Sequence, residues 1–130
     1  MASIIVDTGP LYALADRDDA WHHRTVRFVE TNRDELIVPA SVLPEAAYLL
    51  LTHLGPAAER QLLQSILSGE LTVEALTNAD YRRALEILRR YESARLGFVD
   101  ASVMAVAERL KSPRVLTTDR RDFSLFRPRH

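Results

Sequence analysis

A chain of 130 residues with 47% hydrophobic residues, 27% charged residues and a net charge of −1 is typical of one soluble globular domain, not of a disordered or fibrous protein. The absence of cysteine excludes disulfides and thiolate metal sites. No apolar stretch approaches the roughly 20 residues that span a bilayer, and the first residues lack the basic lead of a secretion signal, so we expect a single cytoplasmic domain over residues 1–130.

Short apolar runs alternate with amphipathic segments along the chain. We expect strands at 4–6, 36–39, 71–76 and 115–118, and a short edge strand at 123–126. Between the first two strands, one helix begins at about Pro10 and another ends near Asn32. The later helices are one capped by Ser41 and ending near Leu54, one at 57–67, one from Thr77 or Asn78 to about Tyr91, and one after Gly97. One apolar stripe of the helix that ends near Tyr91 contains Tyr81, Ala84, Leu85, Leu88 and Tyr91. This alternation predicts an α/β fold with a central, mostly parallel sheet covered on both faces, in three α/β/α layers.

Four acidic residues lie where an open parallel sheet gathers its ligands. Asp7 and Asp119 follow the two most strand-like segments, so both are expected at the carboxyl edge of the sheet. Glu45 and Asp100 lie near predicted helix starts, where helix capping is the better explanation for either residue alone. Four carboxylates aimed at one crevice would repel one another without a cation, and Mg²⁺ or Mn²⁺ prefers such oxygen ligands. The set as a whole favours a metal-dependent enzyme.

The segments that carry these acids resemble a known family. Residues 6–9 read Val-Asp-Thr-Gly, residues 44–45 Pro-Glu, residues 97–101 Gly-Phe-Val-Asp-Ala, and residues 116–123 Leu-Thr-Thr-Asp-Arg-Arg-Asp-Phe. In this order and spacing, they make the whole chain resemble a PIN-domain ribonuclease of the VapC toxin type. The resemblance implies a PIN-like fold and an endoribonuclease whose Mg²⁺ or Mn²⁺ ions are held by four acids, here Asp7, Glu45, Asp100 and Asp119.

The same resemblance assigns supporting residues and partners. Thr8 and Thr117 match small hydroxyl residues near the metal cluster, and Asp122 is either an acid behind the ligands or a turn residue. With neither cysteine nor a convincing serine and base pair, attack on RNA by metal-activated water is the expected chemistry. The implied protein partners are a VapB-like antitoxin, which fills a groove and blocks the acidic pocket, and a second copy of the chain in a homodimer.

The positive charge is concentrated in the second half of the chain. Residues 1–80 contain 5 Arg or Lys against 12 Asp or Glu, whereas residues 81–130 contain 12 against 6. Arg120 and Arg121 flank Asp119, and guanidinium groups there would suit contact with an RNA phosphate. Surface salt bridges explain the same two residues equally well.

Two other functions remain compatible with parts of the sequence. An Mg²⁺-dependent aspartyl phosphotransferase would use the acid after the first strand, but such sites typically have a second acid two residues on, where this chain has Gly9. Lys111, the single lysine, is not well placed for that chemistry either. A PIN-like module without catalysis, which only binds RNA or protein, is the other alternative. The complete set of four acids argues against it.

Overall fold

The computed structural model describes residues 2–112 and 114–118. In chain order, the elements are β1 (Ser3–Val6), α1 (Thr8–Ala15), α2 (His22–Thr31), β2 (Glu35–Pro39), α3 (Val42–Leu54), α4 (Pro56–Leu67), β3 (Thr72–Glu74), α5 (Asn78–Arg90), a 3₁₀ helix (Glu92–Ala94), α6 (Phe98–Arg109) and β4 (Val115–Leu116). The predicted edge strand at 123–126 lies outside these residues. No helix among those described is long and apolar enough to cross a membrane.

The strands form one parallel sheet in the order β3-β2-β1-β4. β1 lies between two partners: Ile4 pairs with Leu36 of β2, and Val6 pairs with Leu116 of β4. The chain thus leaves β1 toward one side of the sheet and later returns to the other side. A crevice beside such a reversal of strand order is where open α/β sheets bind ligands.

The central strand is buried on both faces. Ile4, Ile5 and Val6 follow one another and are all inaccessible to solvent. Because successive side chains of a strand point to opposite faces, helices must cover both sides of the sheet. α6 contacts β1 and β2, and α3 contacts β2. The predicted α/β fold with a parallel sheet between helical layers is confirmed.

Helix α6 runs through the interior. Seven consecutive residues, 101–107, are buried, so this stretch is covered on every side. Its contacts with α5 form a second small core that contains Ala84, Ile87 and Met104. A helix enclosed in this way has a fixed position relative to the sheet, and it carries Asp100 in its first turn.

A buried carboxylate joins the start of α5 to the end of α6. Asp80 is 2% exposed, and both of its oxygens accept from Nε of Arg109 at 3.0 Å. Its Oδ2 also accepts the backbone N–H of Thr77, whose hydroxyl accepts the N–H of Asp80 in return, so the predicted cap at Thr77 is confirmed as a capping box. Arg109 reaches Glu74 of β3 as well, at 2.9 Å. These contacts tie α6 to the sheet edge.

Two details of the sequence prediction are wrong. Ser41 makes no capping hydrogen bond, because its backbone is already helical and its hydroxyl contacts Ser102 instead. In the predicted apolar stripe of α5, Ala84 is buried and Leu88 and Tyr91 pack against the same core, as expected, whereas Tyr81 and Leu85 are about half exposed.

Candidate active site at the carboxyl edge of the sheet

Asp7 lies at the point where β1 gives way to α1. Its backbone N–H donates to the carbonyl of Leu116 at 3.0 Å, which continues the pairing of β1 with β4 by one residue. The side chain is the N-cap of α1: Oδ1 accepts the backbone N–H of Thr8 at 2.8 Å. Oδ2 accepts the hydroxyl of Thr117 at 3.0 Å. With 5% exposure, this carboxylate is fixed in orientation from two sides.

Thr8 extends the same group of residues toward α3. Its hydroxyl lies 3.4 Å from Oε2 of Glu45, near the limit of a hydrogen bond. Glu45 is exposed in the first turn of α3, and Thr8 is buried. The two predicted acids Asp7 and Glu45 therefore approach the same threonine, one through its backbone N–H and the other through its hydroxyl.

Gly9 lets the exit of β4 come close to the first turn of α1. A Cβ atom at position 9 would lie 2.0 Å from Oγ1 of Thr118 and 3.1 Å from its Cβ. No real Cβ atom tolerates the first of these distances, so any side chain at position 9 would displace Thr118. The residue next to Thr118 is Thr117, which holds Asp7. Gly9 thus permits the contact that orients the carboxylate.

Asp100 occupies the third position of α6. Its Oδ2 accepts the backbone N–H of Gly97 at 3.4 Å, a long hydrogen bond of the capping type. The side chain is half-buried. Asp100 can therefore act as a weak cap of α6, and it can also be a metal ligand, because it lies at the start of a helix that contacts β1.

A hydroxyl pair joins the two helices that carry Glu45 and Asp100. Ser102 is fully buried and donates to the carbonyl of Val99 at 2.7 Å. Since its single hydroxyl proton is used there, Ser41 must donate to Ser102, at 2.5 Å. The contact holds the entry of α3 against the first turn of α6. Nothing in the sequence indicates it, because the two serines are 61 residues apart.

The structure brings together part of the predicted metal site. Hydrogen bonds link Asp7, Thr8, Thr117 and Glu45. Within residues 2–112 and 114–118, no three His, Cys, Asp or Glu side chains form a group that could hold a cation. The other predicted residues, Asp119, Arg120, Arg121 and Asp122, lie outside the described part of the chain. The side chains that the structure does bring together offer only carboxylate and hydroxyl oxygens, which are the ligands that Mg²⁺ and Mn²⁺ prefer.

Several side chains elsewhere have shifted pKa values. Tyr12 donates to Asp16, which raises the pKa of the phenol to about 12 and lowers that of the carboxyl. Hydrogen bonds to Glu108 raise the pKa of Arg83, and those to Asp80 raise the pKa of Arg109. The arginine shifts belong to ion pairs that hold α5 against α6 and α6 against β3.

Comparison with known proteins agrees with this arrangement. Residues 4–127 match the family model of the PIN domain. The chain is 31% identical over 125 residues to Ribonuclease VapC26 of Mycobacterium tuberculosis, a match that covers 96% of this chain and 93% of the relative. It also resembles the crystal structure of VapC20 of Mycobacterium tuberculosis, a sarcin-ricin loop cleaving toxin, with a TM-score of 0.86 and 30% identity over 94% of this chain and 93% of the other.

Two more distant structures share the fold. VapBC2 from Rickettsia felis, bound to a DNA fragment from its promoter, gives a TM-score of 0.71 at 12% identity. DNA-bound VapBC from Salmonella typhimurium gives 0.71 at 19% identity. Each match covers 95% of this chain and 92% of the other. The family model and the likeness to VapC26, each spanning nearly the whole chain, show that this protein belongs to the PIN-domain family and groups with its VapC-type members.

Proposed function

We propose that this protein is a VapC-type toxin that cuts RNA internally as an Mg²⁺- or Mn²⁺-dependent ribonuclease. The observation that carries the proposal is the carboxylate of Asp7, held by Thr8 and Thr117 at the carboxyl edge of the sheet, in a chain that is 31% identical to Ribonuclease VapC26. Asp7 also caps α1, but a ligand of a catalytic cation would need this position as well, because the substrate must reach the cation at the open edge of the sheet.

The proposed roles follow from where the side chains lie. Asp7 and Asp100 would be the primary ligands, and Glu45 and Asp119 would complete the shell or orient the attacking water. When bound, the cation would activate that water and neutralise charge on the phosphate and on the leaving oxygen. Thr117 and the backbone of Thr8 fix the carboxylate of Asp7, so it need not reorient when the ion binds. Arg120 and Arg121 would contact RNA phosphate, and Asp122 would support the site.

The test is cleavage of RNA by the purified chain with Mg²⁺ or Mn²⁺ and with excess EDTA. Cleavage should require the cation, leave 5′-phosphate ends, and disappear in Asp7→Asn and Asp100→Asn. Glu70→Gln is a matched control, because it also converts one carboxylate to an amide but lies exposed in the turn between α4 and β3. Activity that persists in EDTA, or that survives in both aspartate variants, would refute the metal-dependent mechanism. A large loss of melting temperature in both variants without metal would show that the two acids are structural.

The surface of α3 and α4 is suited to a protein partner, which we propose is a VapB-like antitoxin. Its exposed apolar side chains are Tyr48, Leu51, Leu54, Leu63 and Leu67. Other residues of α4, together with residues of α1, line an apolar cavity of about 130 Å³. An amphipathic helix could lay its apolar face on such a surface. A homodimer, the second assembly that we propose, would bury further apolar area.

Inhibition by the antitoxin should depend on a basic side chain. A pocket rich in carboxylates attracts a guanidinium, which pairs with a carboxylate through two hydrogen bonds. We therefore expect an arginine, or less effectively a lysine, in the antitoxin tail to reach Asp7 or Glu45 while the helix supplies affinity. Changing that residue to alanine should leave the complex assembled in gel filtration but restore part of the cleavage. Complete inhibition by the variant antitoxin would instead mean that bulk alone blocks the site.

A further inference from the structure

Two exposed aromatic rings lie against each other at the start of α6. Tyr81 of α5 and Phe98, the first residue of α6, have ring planes 2° apart and centroids separated by 6.1 Å. The exposed fractions are 52% for Tyr81 and 44% for Phe98. The pair is therefore an offset parallel arrangement that leaves aromatic faces open to solvent.

The backbone beneath both rings is held in place. Tyr81 follows Asp80, whose carboxylate is buried in hydrogen bonds with Arg109 and Thr77. Phe98 begins a helix whose following residues, 101–107, are buried throughout. Anchored aromatic rings lose little conformational freedom when a flat ligand covers them, and such rings are therefore suited to stacking.

The pair lies at the end of α6 that carries Asp100 of the candidate active site. Phe98 precedes Asp100 by two residues in the first turn of α6, and side chains at that spacing point to different sides of a helix. Since both residues belong to the first turn of α6, a group resting on Phe98 would lie at the same end of that helix as Asp100, on a different side of it. In a strand of RNA bound at the site, we expect such a group to be a nucleotide other than the one whose phosphate is cut.

The charges around the rings suit a polyanion. Arg82 adjoins Tyr81, and Arg95 lies three residues before Phe98; both are exposed. In the described part of the chain neither forms an ion pair, in contrast to Arg83 and Arg109, which are taken up by Glu108 and Asp80. Aromatic faces next to uncommitted cations are the combination with which proteins bind single-stranded nucleic acid.

We propose that Tyr81 and Phe98 form a platform on which an unpaired base of the substrate stacks, beside the phosphodiester that is cleaved. The inference rests on the proposed ribonuclease function and deepens it. Sequence-tolerant stacking would select for RNA in which a base next to the cut is unpaired, such as a loop, over a continuous duplex. The arginines would contact the backbone of the same nucleotide.

The test couples a change in the protein to a change in the RNA. The probe is a series of short, fluorescein-labelled single-stranded oligoribonucleotides, each with one abasic site at a successive position, titrated with Ca²⁺ in place of Mg²⁺ to prevent turnover. Phe98→Leu keeps an apolar side chain but removes the ring, and it should weaken binding of the intact RNA about tenfold. Tyr81→Leu should act in the same direction. Phe98→Tyr and Tyr81→Phe are matched controls that keep the rings and should bind like the parent.

The decisive outcome is non-additivity. At one abasic position, the RNA should bind the parent about tenfold more weakly and should bind Phe98→Leu with no further loss, because the base and ring act as one unit. Losses that add at every position would overturn the platform. A change of oligomeric state in Phe98→Leu by sedimentation, with RNA binding unaltered, would overturn it too and assign the rings to a protein interface. If the parent cleaves RNA with Mg²⁺ but shows no coupling, only the platform fails; if it neither binds nor cleaves RNA, the proposed function fails first.

Discussion

Replacing Gly9 by alanine should loosen the site without touching any of the predicted ligands. The new Cβ would lie 2.0 Å from Oγ1, 3.1 Å from Cβ and 3.3 Å from Cγ2 of Thr118. The first contact is relieved only if Thr118 gives up its present rotamer, which costs energy, and the Cβ contact persists whatever the rotamer, so the backbone at residue 118 must also shift by a few tenths of an ångström. Overpacking of this kind typically costs about 1–3 kcal/mol of unfolding free energy.

The size of the effect can be traced to Thr118 by a double-mutant cycle. Thr118→Ala removes Oγ1 and Cγ2 and leaves only the 3.1 Å contact, so the double variant should recover about 1–2 kcal/mol of the loss in urea unfolding. Gly97→Ala is the matched control: its Cβ would meet only Asp100, at 3.9 Å, and its backbone is extended. That variant should stay within about 0.5 kcal/mol of the parent, because reduced chain entropy offsets the poorer cap.

Cleavage should fall more than stability in Gly9→Ala. A displaced Thr118 moves Thr117, and a misplacement near 1 Å at a catalytic group can cost roughly 100-fold in rate. Initial rates measured well below the unfolding temperature separate this effect from loss of fold. Unchanged unfolding of Gly9→Ala, or no recovery on adding Thr118→Ala, would show that the approach of Thr118 does not constrain position 9.

Two other predictions concern ion pairs and protons. Arg109→Met should lower the free energy of unfolding in urea by about 3 kcal/mol, because it leaves the buried Asp80 carboxylate without its cation. Adding Asp80→Asn should restore a large part of that free energy. Equal instability of the single and double variants would contradict this prediction. Tyr12 and Asp16 should make stability depend on pH at both extremes. The raised pKa of the Tyr12 phenol stabilises the fold below pH 10, and this contribution is lost as the pH rises toward about 12. The lowered pKa of the Asp16 carboxyl stabilises the fold above pH 3.8, and this contribution is lost as the pH falls. Tyr12→Phe should flatten both limbs of a stability profile, and an unchanged profile would refute the assignment.

The elements were predictable because their signals are local. The run Ile4-Ile5-Val6 and the three- and four-residue spacing of apolar side chains report directly on strand and helix. Local spacing does not show which edge of an apolar stripe meets the core. Ala84 of the predicted α5 stripe is buried where α6 packs, yet Tyr81 and Leu85 of the same stripe are about half exposed. Ile87, which lies outside the predicted stripe, is fully buried.

The arrangement of the candidate site was less predictable because its contacts are distant in sequence. The sequence indicates Asp7 as an acid after a strand and Glu45 as an acid at a helix start, but spacing alone does not identify the residues that orient them. Thr117 reaches Asp7 across 110 residues, and Thr8 reaches Glu45 across 37. Only the family resemblance predicts a role for the two threonines, and their hydrogen bonds can be seen only in the folded chain.

The pairing of β1 with β4 has a consequence for the timing of synthesis. β1 leaves the ribosome well before its neighbour Leu116, and the hydroxyl that holds Asp7 follows that residue by 110 positions. A nascent chain that has not reached residue 117 can fold its helices but cannot complete this edge of the sheet, and such long-range pairing forms slowly even afterwards. Thr117 can therefore fix Asp7 only long after the strand that leads into Asp7 has been made. Any activity that depends on this carboxylate would appear late in the synthesis of the domain.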